Sequence, residues 1–262
     1  MIYPVALAGR PVVASAAMDI PRQHTIREAN HRILDPFTDE KLATLGRALR
    51  LTPGTTILDL ACGTGEMLST WARDHGTIGT GVDKSSVFVS RARERAAEMS
   101  VEVTFLNDDA SGFALEEPVD VAACLGATWI GDGVVGTLEL LERSLRPGGI
   151  TLVGEPFWRE DPPDDAAVRG SGAPSRDRFL SLPGLVAQFR DAGWDLVEMV
   201  LADEDSWDRY VAAQWLTTRQ WLDANPTDEL AAELRAELDT APLDYVTYQR
   251  RYLGWGVFAL MR

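Results

Sequence analysis

Residues 57–68, ILDLACGTGEML, decide the fold of this chain. The apolar run at their start predicts a strand, and residues that favour helix follow from Glu66 onward. Between the two, Gly63 and Gly65 allow the backbone to turn sharply and to approach a ligand closely, because neither carries a Cβ. A strand, a glycine loop and a helix in this order predict a doubly wound α/β domain, with a nucleotide-like ligand beyond the carboxyl ends of its strands.

Strand-like runs recur along the chain. They cover residues 56–61, 77–83, 101–107, 119–125, 149–155, 194–202 and 252–260. Amphipathic patterns of helical period separate them, for example at 86–99 and 134–145. Strands that alternate with helices of this length predict right-handed crossovers and a parallel sheet.

Helical patterns also occur outside this alternation. Residues 19–51 predict two helices that precede the first strand, with a break at Asp35-Pro36, because the residue before proline avoids the α region. Residues 203–225 and 226–241 predict two more, with Asn225 as N-cap and Pro226 as the first helical residue of the second. We expect residues 203–250 to form a helical lid, inserted before the last strand.

The chain length of 262 residues suits one domain, which we place at residues 18–262. Residues 1–17 are expected to form a flexible extension. Ala14-Ser15-Ala16 imitates a signal-peptidase site, but no positive charge precedes the apolar stretch and Gly9-Arg10-Pro11 interrupts it. Deletion of residues 1–17 should leave folding and activity unchanged, and a loss of soluble yield would contradict this.

Composition excludes several classes of partner and site. Forty acidic residues against 25 basic ones give a net charge of -15, without a basic stripe, so we expect no nucleic acid and no anionic membrane surface as partner. Cys62 and Cys124 lie outside any CxxC pair, so neither a disulfide framework nor a zinc site is indicated. No apolar run approaches about 18 residues, and we expect a cytoplasmic protein without a resident metal.

Acidic residues end the second and third predicted strands. Asp83 can accept two hydrogen bonds from ribose hydroxyls, and a carboxylate at Asp108 or Asp109 can accept from an adenine amino group. A dinucleotide is the competing ligand, because Asp83 also suits the ribose of NAD. The dinucleotide fingerprint needs a third glycine, which the sequence after Gly65 lacks.

Through these motifs the chain resembles the class I S-adenosylmethionine-dependent methyltransferases. DLACGTG resembles their first motif, VDKS the ribose-binding segment, NDDA the turn at the adenine, and LRPGGITLVGEP the segment leading into the fifth strand. The resemblance runs from about residue 19 to the C-terminus and is nearest to uncharacterised bacterial members that act on small molecules. It implies a Rossmann-like sheet of seven strands, mostly parallel, with an antiparallel last strand.

The resemblance also implies which residues hold S-adenosylmethionine. Those at its methionine end are Asp59, the backbone of Ala61, Gly63 and Gly65, and Leu125. Those at its ribose and adenine are Asp83, Lys84, Asp109 and the Ala110 backbone, with Asp108 as the alternative to Asp109. Asp59 has a second interpretation, because it could simply cap the glycine loop.

Residues for the acceptor are harder to identify, because methyl transfer depends mainly on alignment and the exclusion of water. Glu155, at the end of the fifth predicted strand, and His31, on the N-terminal helices, are candidate bases. Each has an alternative, a salt bridge for Glu155 and an ordinary surface helix for His31. Aromatic side chains could flank the substrate or simply pack; they are Trp129, Trp158, Trp207 and Tyr210.

The sequence therefore predicts an enzyme that transfers a methyl group to a small molecule, as a monomer or a homodimer. A cofactor-binding protein without methyl transfer is the alternative, and an NAD-dependent dehydrogenase is a weaker one. An Asn-Pro-Pro-Tyr motif after the fourth strand would indicate amine methylation, but CLGATW stands there. The sequence leaves the acceptor atom open.

Overall fold

The computed structural model describes residues 20–262, so the predicted extension at residues 1–17 lies outside the described part. Within residues 20–262 the strands form one seven-stranded sheet in the order β3-β2-β1-β4-β5-β7-β6. The strands are β1 (Thr56–Leu60), β2 (Ile78–Asp83), β3 (Val103–Asn107), β4 (Val119–Leu125), β5 (Leu145–Trp158), β6 (Asp195–Leu201) and β7 (Leu253–Met261).

The direction of the strands confirms the predicted Rossmann-like topology. β1 pairs in parallel with β2 and β4, and β4 in parallel with β5, whereas β7 runs antiparallel to both of its neighbours, β5 and β6. The strand order reverses between β1 and β4. In open α/β sheets a crevice for ligands forms at such a switch point, beyond the carboxyl ends of the strands.

Helices cover both faces of the sheet. They are α1 (Arg22–Arg27), α2 (Asp39–Ala48), α3 (Glu66–His75), α4 (Ser86–Met99), α5 (Val134–Glu142), α6 (Asp165–Gly170), α7 (Leu182–Asp191), α8 (Glu204–Ala224), α9 (Ala231–Asp244) and α10 (Arg250–Tyr252). Ile57 packs in one apolar core with side chains of α2, α3 and α4, while Leu58 packs in the other with α5 and α7. Successive strand residues point to opposite faces, so the near-continuous apolar strands are buried on both sides.

The fifth strand is longer than its sequence predicts. Residues 145–149, LRPGG, form a bulge within it, because Val119 pairs with Leu145 whereas Val121 pairs with Ile150. At the other end, pairing with β7 carries the strand on to Trp158. Glu155 therefore lies inside β5, opposite Gly256, and the prediction that it ends the strand is wrong.

The two inserted helices form, but the start of the second was predicted wrongly. Asn225 is the C-cap of α8, where its Nδ2 donates to the Trp221 carbonyl at 2.9 Å. α9 begins only at Ala231, after a turn in which the Asp228 carboxylate accepts from the Leu230 amide. Asn225 thus satisfies carbonyl groups at a helix end rather than amides at a helix start.

The N-terminal part contains the two predicted helices, α1 and α2, joined by an irregular stretch that passes over the glycine loop. We call residues 20–37 the cap segment and residues 203–250 the lid insertion. Thr64 of the glycine loop donates its hydroxyl proton to the Arg32 carbonyl of the cap segment. None of the helices within residues 20–262 combines the length and the apolar character that a membrane crossing requires.

Candidate functional site

A cavity of about 370 Å³ lies at the switch point, beyond the carboxyl ends of β1, β2 and β4 and beneath the cap segment. Its size falls within the range of small-molecule sites. The residues predicted from sequence that line it are Asp59, Ala61, Gly63, Asp83, Lys84, Asp109, Ala110, Leu125 and Trp129.

The glycine loop has three residues in the left-handed region. Ala61, Gly63 and Gly65 have φ values of 60°, 54° and 68°. A Cβ on Gly63 would lie 2.7 Å from Leu34 Cδ1 of the cap segment, and one on Gly65 would lie 2.4 Å from the Phe105 ring. Gly63 therefore faces the cavity, whereas Gly65 is required for packing behind the loop and does not line the cavity.

Asp59 is a buried carboxyl group with an unused oxygen. The residue is 4% exposed, and among the described residues its Oδ1 has no hydrogen-bond partner. Burial, and then the nearby carboxyl groups of Asp35 and Asp83, raise the pKa of Asp59 well above its usual range. A buried acceptor without a donor fits a ligand that brings an N–H group or a positive charge.

Asp83 at the end of β2 orders the glycine loop through its two carboxylate oxygens. Its Oδ2 accepts from the Gly63 amide at 2.9 Å and its Oδ1 from the Ser85 amide at 2.8 Å. Burial raises the pKa of Asp83, although these two amide donors oppose the shift. Each oxygen keeps a further lone pair, so the side chain can still accept two hydroxyl hydrogen bonds.

The turn after β3 resolves which of two aspartates faces the cavity. Asp109 and Ala110 line the cavity, and Asp108 does not. Asp108 Oδ1 instead accepts from the Asp109 amide, while Asp109 Oδ1 accepts from the Ser111 amide. Across from them, Lys84 Nζ lies 4.5 Å from the centroid of the half-exposed Trp129 ring, which is cation–π geometry.

The cap segment supplies a wall of the cavity that the sequence did not predict. Its lining residues are Ile20, Pro21, His24, Arg32, Ile33, Leu34, Asp35 and Phe37. Trp255 of β7 also lines the cavity and packs edge-to-face on Phe37, with ring centroids 5.5 Å apart. The Asp35-Pro36 pair was visible in the sequence, but only as a helix break.

A buried polar cluster fastens the cap segment to α8. Glu28 is 1% exposed, and its Oε1 lies 2.9 Å from the Tyr210 hydroxyl and 2.7 Å from Gln214 Nε2. His31 Nδ1 lies 2.7 Å from Glu28 Oε2, without the alignment of a hydrogen bond. Arg91 of α4 donates to the carbonyls of Glu28 and His31.

This cluster corrects the predictions for His31 and Tyr210. Neither side chain lines the cavity, because both are turned into the contact between the cap segment and α8. Of residues 203–250, all of which the structure describes, none lines the cavity. The lid insertion therefore does not line the cavity; it contacts the cap segment, which does.

Glu155, Trp158 and Trp207 are also away from the cavity. Glu155 is 5% exposed and accepts the Thr128 hydroxyl at 2.7 Å, and burial raises its pKa. Trp158 donates its indole N–H to the Arg176 carbonyl, and Trp207 packs in the core beside Val211. Trp158 and Trp207 therefore match the packing alternative, whereas Glu155 makes a buried hydrogen bond instead of the salt bridge suggested as its alternative.

Comparison with known proteins identifies a family model, a relative of similar length and two solved structures. Residues 57–149 match a family model described as a methyltransferase domain. The chain is 59% identical over 246 residues to the uncharacterized protein YjhP of Escherichia coli strain K12, over 93% of this chain and 99% of YjhP.

Two solved structures are similar over the same extent. The crystal structure of a SAM-dependent methyltransferase from Geobacter sulfurreducens in complex with S-adenosyl-L-homocysteine has a TM-score of 0.92 and 61% identity, over 93% of this chain and 99% of that one. Its counterpart from Thiobacillus denitrificans, in complex with the same compound, has a TM-score of 0.91 and 58% identity, with the same coverage.

Proposed function

Because the chain belongs to the S-adenosylmethionine-dependent methyltransferases, we propose that it methylates a small molecule held in the cavity beneath the cap segment. Its cofactor is S-adenosylmethionine, since relatives at 61% and 58% identity bind the demethylated S-adenosylhomocysteine. When bound, S-adenosylmethionine supplies a methyl group on a positively charged sulfur, which a nucleophile can displace.

The observation that carries the proposal is how the cavity residues are distributed along the sheet edge. Asp83 follows β2, Asp59 belongs to the neighbouring β1, and Leu125 ends β4 on its other side. These residues fit a ligand that lies across the three strands. Asp83 would accept the ribose hydroxyls, and the unpartnered Oδ1 of Asp59 would accept from the ammonium group.

Beyond β4, the cavity has an apolar and aromatic wall that includes Phe37, Leu42 and Trp255. These side chains would hold the organic body of the acceptor, and the cap segment would exclude water from the reacting atoms. A covered cavity of about 370 Å³ suits a small acceptor rather than a macromolecule. The net charge of -15 also disfavours nucleic acid as acceptor.

The test is to incubate the protein with S-adenosylmethionine labelled in its methyl group and with an extract of small metabolites. We expect a labelled small product and an equal amount of S-adenosylhomocysteine. Asp83→Ala should weaken cofactor binding by about 10- to 100-fold, the range for losing hydrogen bonds to a charged acceptor, and so reduce both products at limiting S-adenosylmethionine. Asp74→Ala, on the exposed end of α3, is the matched control.

Calorimetry with S-adenosylmethionine separates the possible failures. Binding without a labelled product in any extract would contradict methyl transfer and favour a cofactor-binding protein. A labelled macromolecule in place of a small product would contradict the size of the proposed acceptor.

A further inference from the structure

We propose that Asp35 of the cap segment binds the acceptor as an ammonium ion and removes one proton from it, which makes amines the substrate class. The inference rests on the function proposed above and adds the chemical identity of the accepting atom. Position, charge and the shape of the cavity each contribute to it.

The position of Asp35 is fixed beside the end of β4. Its Oδ1 lies so close to Gly126 that a Cβ on that glycine would be 2.4 Å away. Gly126 has a φ of 75° and directly follows β4. Along the sheet edge the order is Asp83 on β2, Asp59 on β1 and then Gly126 after β4, so Asp35 lies on the side of Asp59 that faces away from the ribose position.

The backbone around Asp35 is held, whereas its carboxylate is unused. The Asp35 carbonyl accepts from the Phe37 amide at 2.7 Å, and the Tyr210 hydroxyl lies 2.9 Å from the Leu34 carbonyl. No side chain or amide among the described residues donates to the Asp35 carboxylate. A positioned acceptor that faces a cavity without a protein donor is ready for a donor on a ligand.

The charge of the cavity favours a cation beyond the cofactor itself. Glu66 is paired with Arg32 and Arg95, which leaves Asp35, Asp59, Asp83 and Asp109 against Lys84 among the lining residues. S-adenosylmethionine carries a sulfonium, an ammonium and a carboxylate, a net charge of one. Burial lowers the pKa of His24, so it adds no charge near neutral pH. The cavity therefore has more acidic than basic groups, and a cationic acceptor would favour the ionised form of the carboxyl groups whose pKa burial raises.

The proton affinity of Asp35 suits an ammonium group. Burial, and then the charge of Glu28, raise the pKa of Asp35 to about 7. A base of this strength is better matched to an alkylammonium than to an alcohol, whose proton is held far more tightly. A carboxylate acceptor would be repelled by the same negative cavity. Phe37 and Trp255 offer aromatic faces beside Asp35 for the body of the amine.

The proposed step balances in atoms and charge. One N–H bond of the ammonium breaks and its proton bonds to a carboxylate oxygen of Asp35, which leaves a neutral amine with a free lone pair. That lone pair forms the N–C bond to the methyl group, while the S–C bond breaks and its electrons stay on sulfur. The products are a methylated ammonium, neutral S-adenosylhomocysteine sulfur and protonated Asp35, which returns its proton to water.

The test uses three probes with one aromatic body, benzylamine, benzyl alcohol and benzoate, titrated calorimetrically into the protein saturated with S-adenosylhomocysteine at pH 7.5. We expect benzylammonium to bind at least about tenfold more tightly than the other two. Asp35→Asn should remove this preference and leave affinity for S-adenosylhomocysteine within about twofold. Glu40→Gln removes one negative charge from an exposed position outside the cavity and should match the wild type.

Each other result contradicts the proposal. If the wild type binds the three probes equally, or binds none of them, it has no preference for amines, and this result does not depend on how any variant folds. A loss of S-adenosylhomocysteine affinity in Asp35→Asn would assign Asp35 to the cofactor's own ammonium. If S-adenosylhomocysteine does not bind the wild type, the proposed function fails together with this inference; if it binds and the probes show no preference, only this inference fails.

Discussion

At the scale of single residues, the cavity is built from carboxyl groups whose partners are incomplete. Asp59 has a buried oxygen that accepts no hydrogen bond from the described residues. Each carboxylate oxygen of Asp83 accepts one hydrogen bond from a backbone amide and can accept another. Unsatisfied buried acceptors cost stability in the unliganded protein. The same carboxyl groups gain hydrogen bonds when a ligand with N–H and O–H donors binds. The acceptors that lower the stability of the unliganded protein would therefore also contribute to ligand affinity.

The two aspartates after β3 allow a matched test of the adenine contact. Each caps one backbone amide, but only Asp109 lines the cavity. We expect Asp109→Ala to weaken S-adenosylmethionine binding by about tenfold, the loss of roughly one hydrogen bond to a charged acceptor, and Asp108→Ala to weaken it far less. Calorimetry of both variants decides; a larger effect at Asp108 would reverse the assignment.

The raised pKa of Asp35 predicts a pH-dependent stability difference. Its neighbours are Glu28 beside α1, Asp59 on β1, Cys124 on β4 and Tyr210 on α8. From about pH 4 to 7 the carboxyl ionises in the unfolded chain while it stays protonated in the folded one, so stability falls as the pH rises. Asparagine does not titrate and avoids this loss.

We therefore expect Asp35→Asn and wild type to melt alike near pH 4, and the unliganded variant to melt up to about 8–16 °C higher at pH 8, because a pKa raised from 3.8 to about 7 corresponds to at most about 4 kcal/mol. Differential scanning calorimetry across this range measures the difference. For Glu40→Gln the difference in Tm from the wild type should not increase with pH. If the difference in Tm between Asp35→Asn and the wild type stays constant or decreases as the pH rises, Asp35 ionises normally in the folded protein.

At the scale of elements, the cap segment lines the cavity and the lid insertion holds the cap segment in place. α8 and α9 are held to the cap by Glu28, by the Arg22–Asp228 pair and by the Arg27–Glu237 pair, each joining residues far apart in the chain. Each exposed ion pair contributes little to the free energy of unfolding. The buried Glu28 cluster contributes more only while each of its polar groups keeps a hydrogen-bond partner. The insertion thus contacts the wall of the cavity through the cap segment.

Tyr210→Phe tests this arrangement, because it removes only the hydroxyl beside Glu28 and Leu34. We expect the free energy of unfolding in urea to fall by about 1–3 kcal/mol, the loss of one buried hydrogen bond to a charged acceptor, and cofactor affinity to fall with it. Tyr248→Phe is the control, since among the described residues its hydroxyl has no partner. Equal effects of the two variants would show that the cluster does not hold the cap.

At the scale of the whole molecule, the sheet order brings residues from β1, β2, β4 and β7 to one edge, and the chain's N-terminal part closes over them. Ligand binding should therefore stabilise the entire domain rather than one loop. A ligand at about 100 times its Kd stabilises the folded state by about 2.7 kcal/mol.

We expect saturating S-adenosylhomocysteine to raise Tm by about 5–10 °C at this stabilisation, and NAD at the same concentration to leave Tm unchanged. The glycine loop lacks the third glycine that a pyrophosphate needs, so NAD has no matching site. Thermal shift measurements with both compounds provide the test. A comparable shift with NAD would support the dehydrogenase alternative instead.

The sequence alone determined the parts of this protein whose cause is local. Strand and helix periods, the glycine loop and acids at strand ends are properties of neighbouring residues, so the alternating elements, the loop and Asp83 followed from them, while the resemblance to the methyltransferases supplied most other cavity residues. Errors in the predicted helix boundaries arose where one residue type suits two positions. Asn225 is a good N-cap residue, but it ends a helix here.

Only the tertiary structure decided what covers the cavity. Glu155 was predicted at a strand end, but antiparallel pairing with β7 extends β5 past it. Asp35 looked like a helix break until the fold placed it against Gly126, and Tyr210 looked like a substrate contact until the fold placed it beside Glu28. These contacts join residues about 90 to 180 positions apart, and no local pattern encodes such a distance because packing of the whole chain sets it.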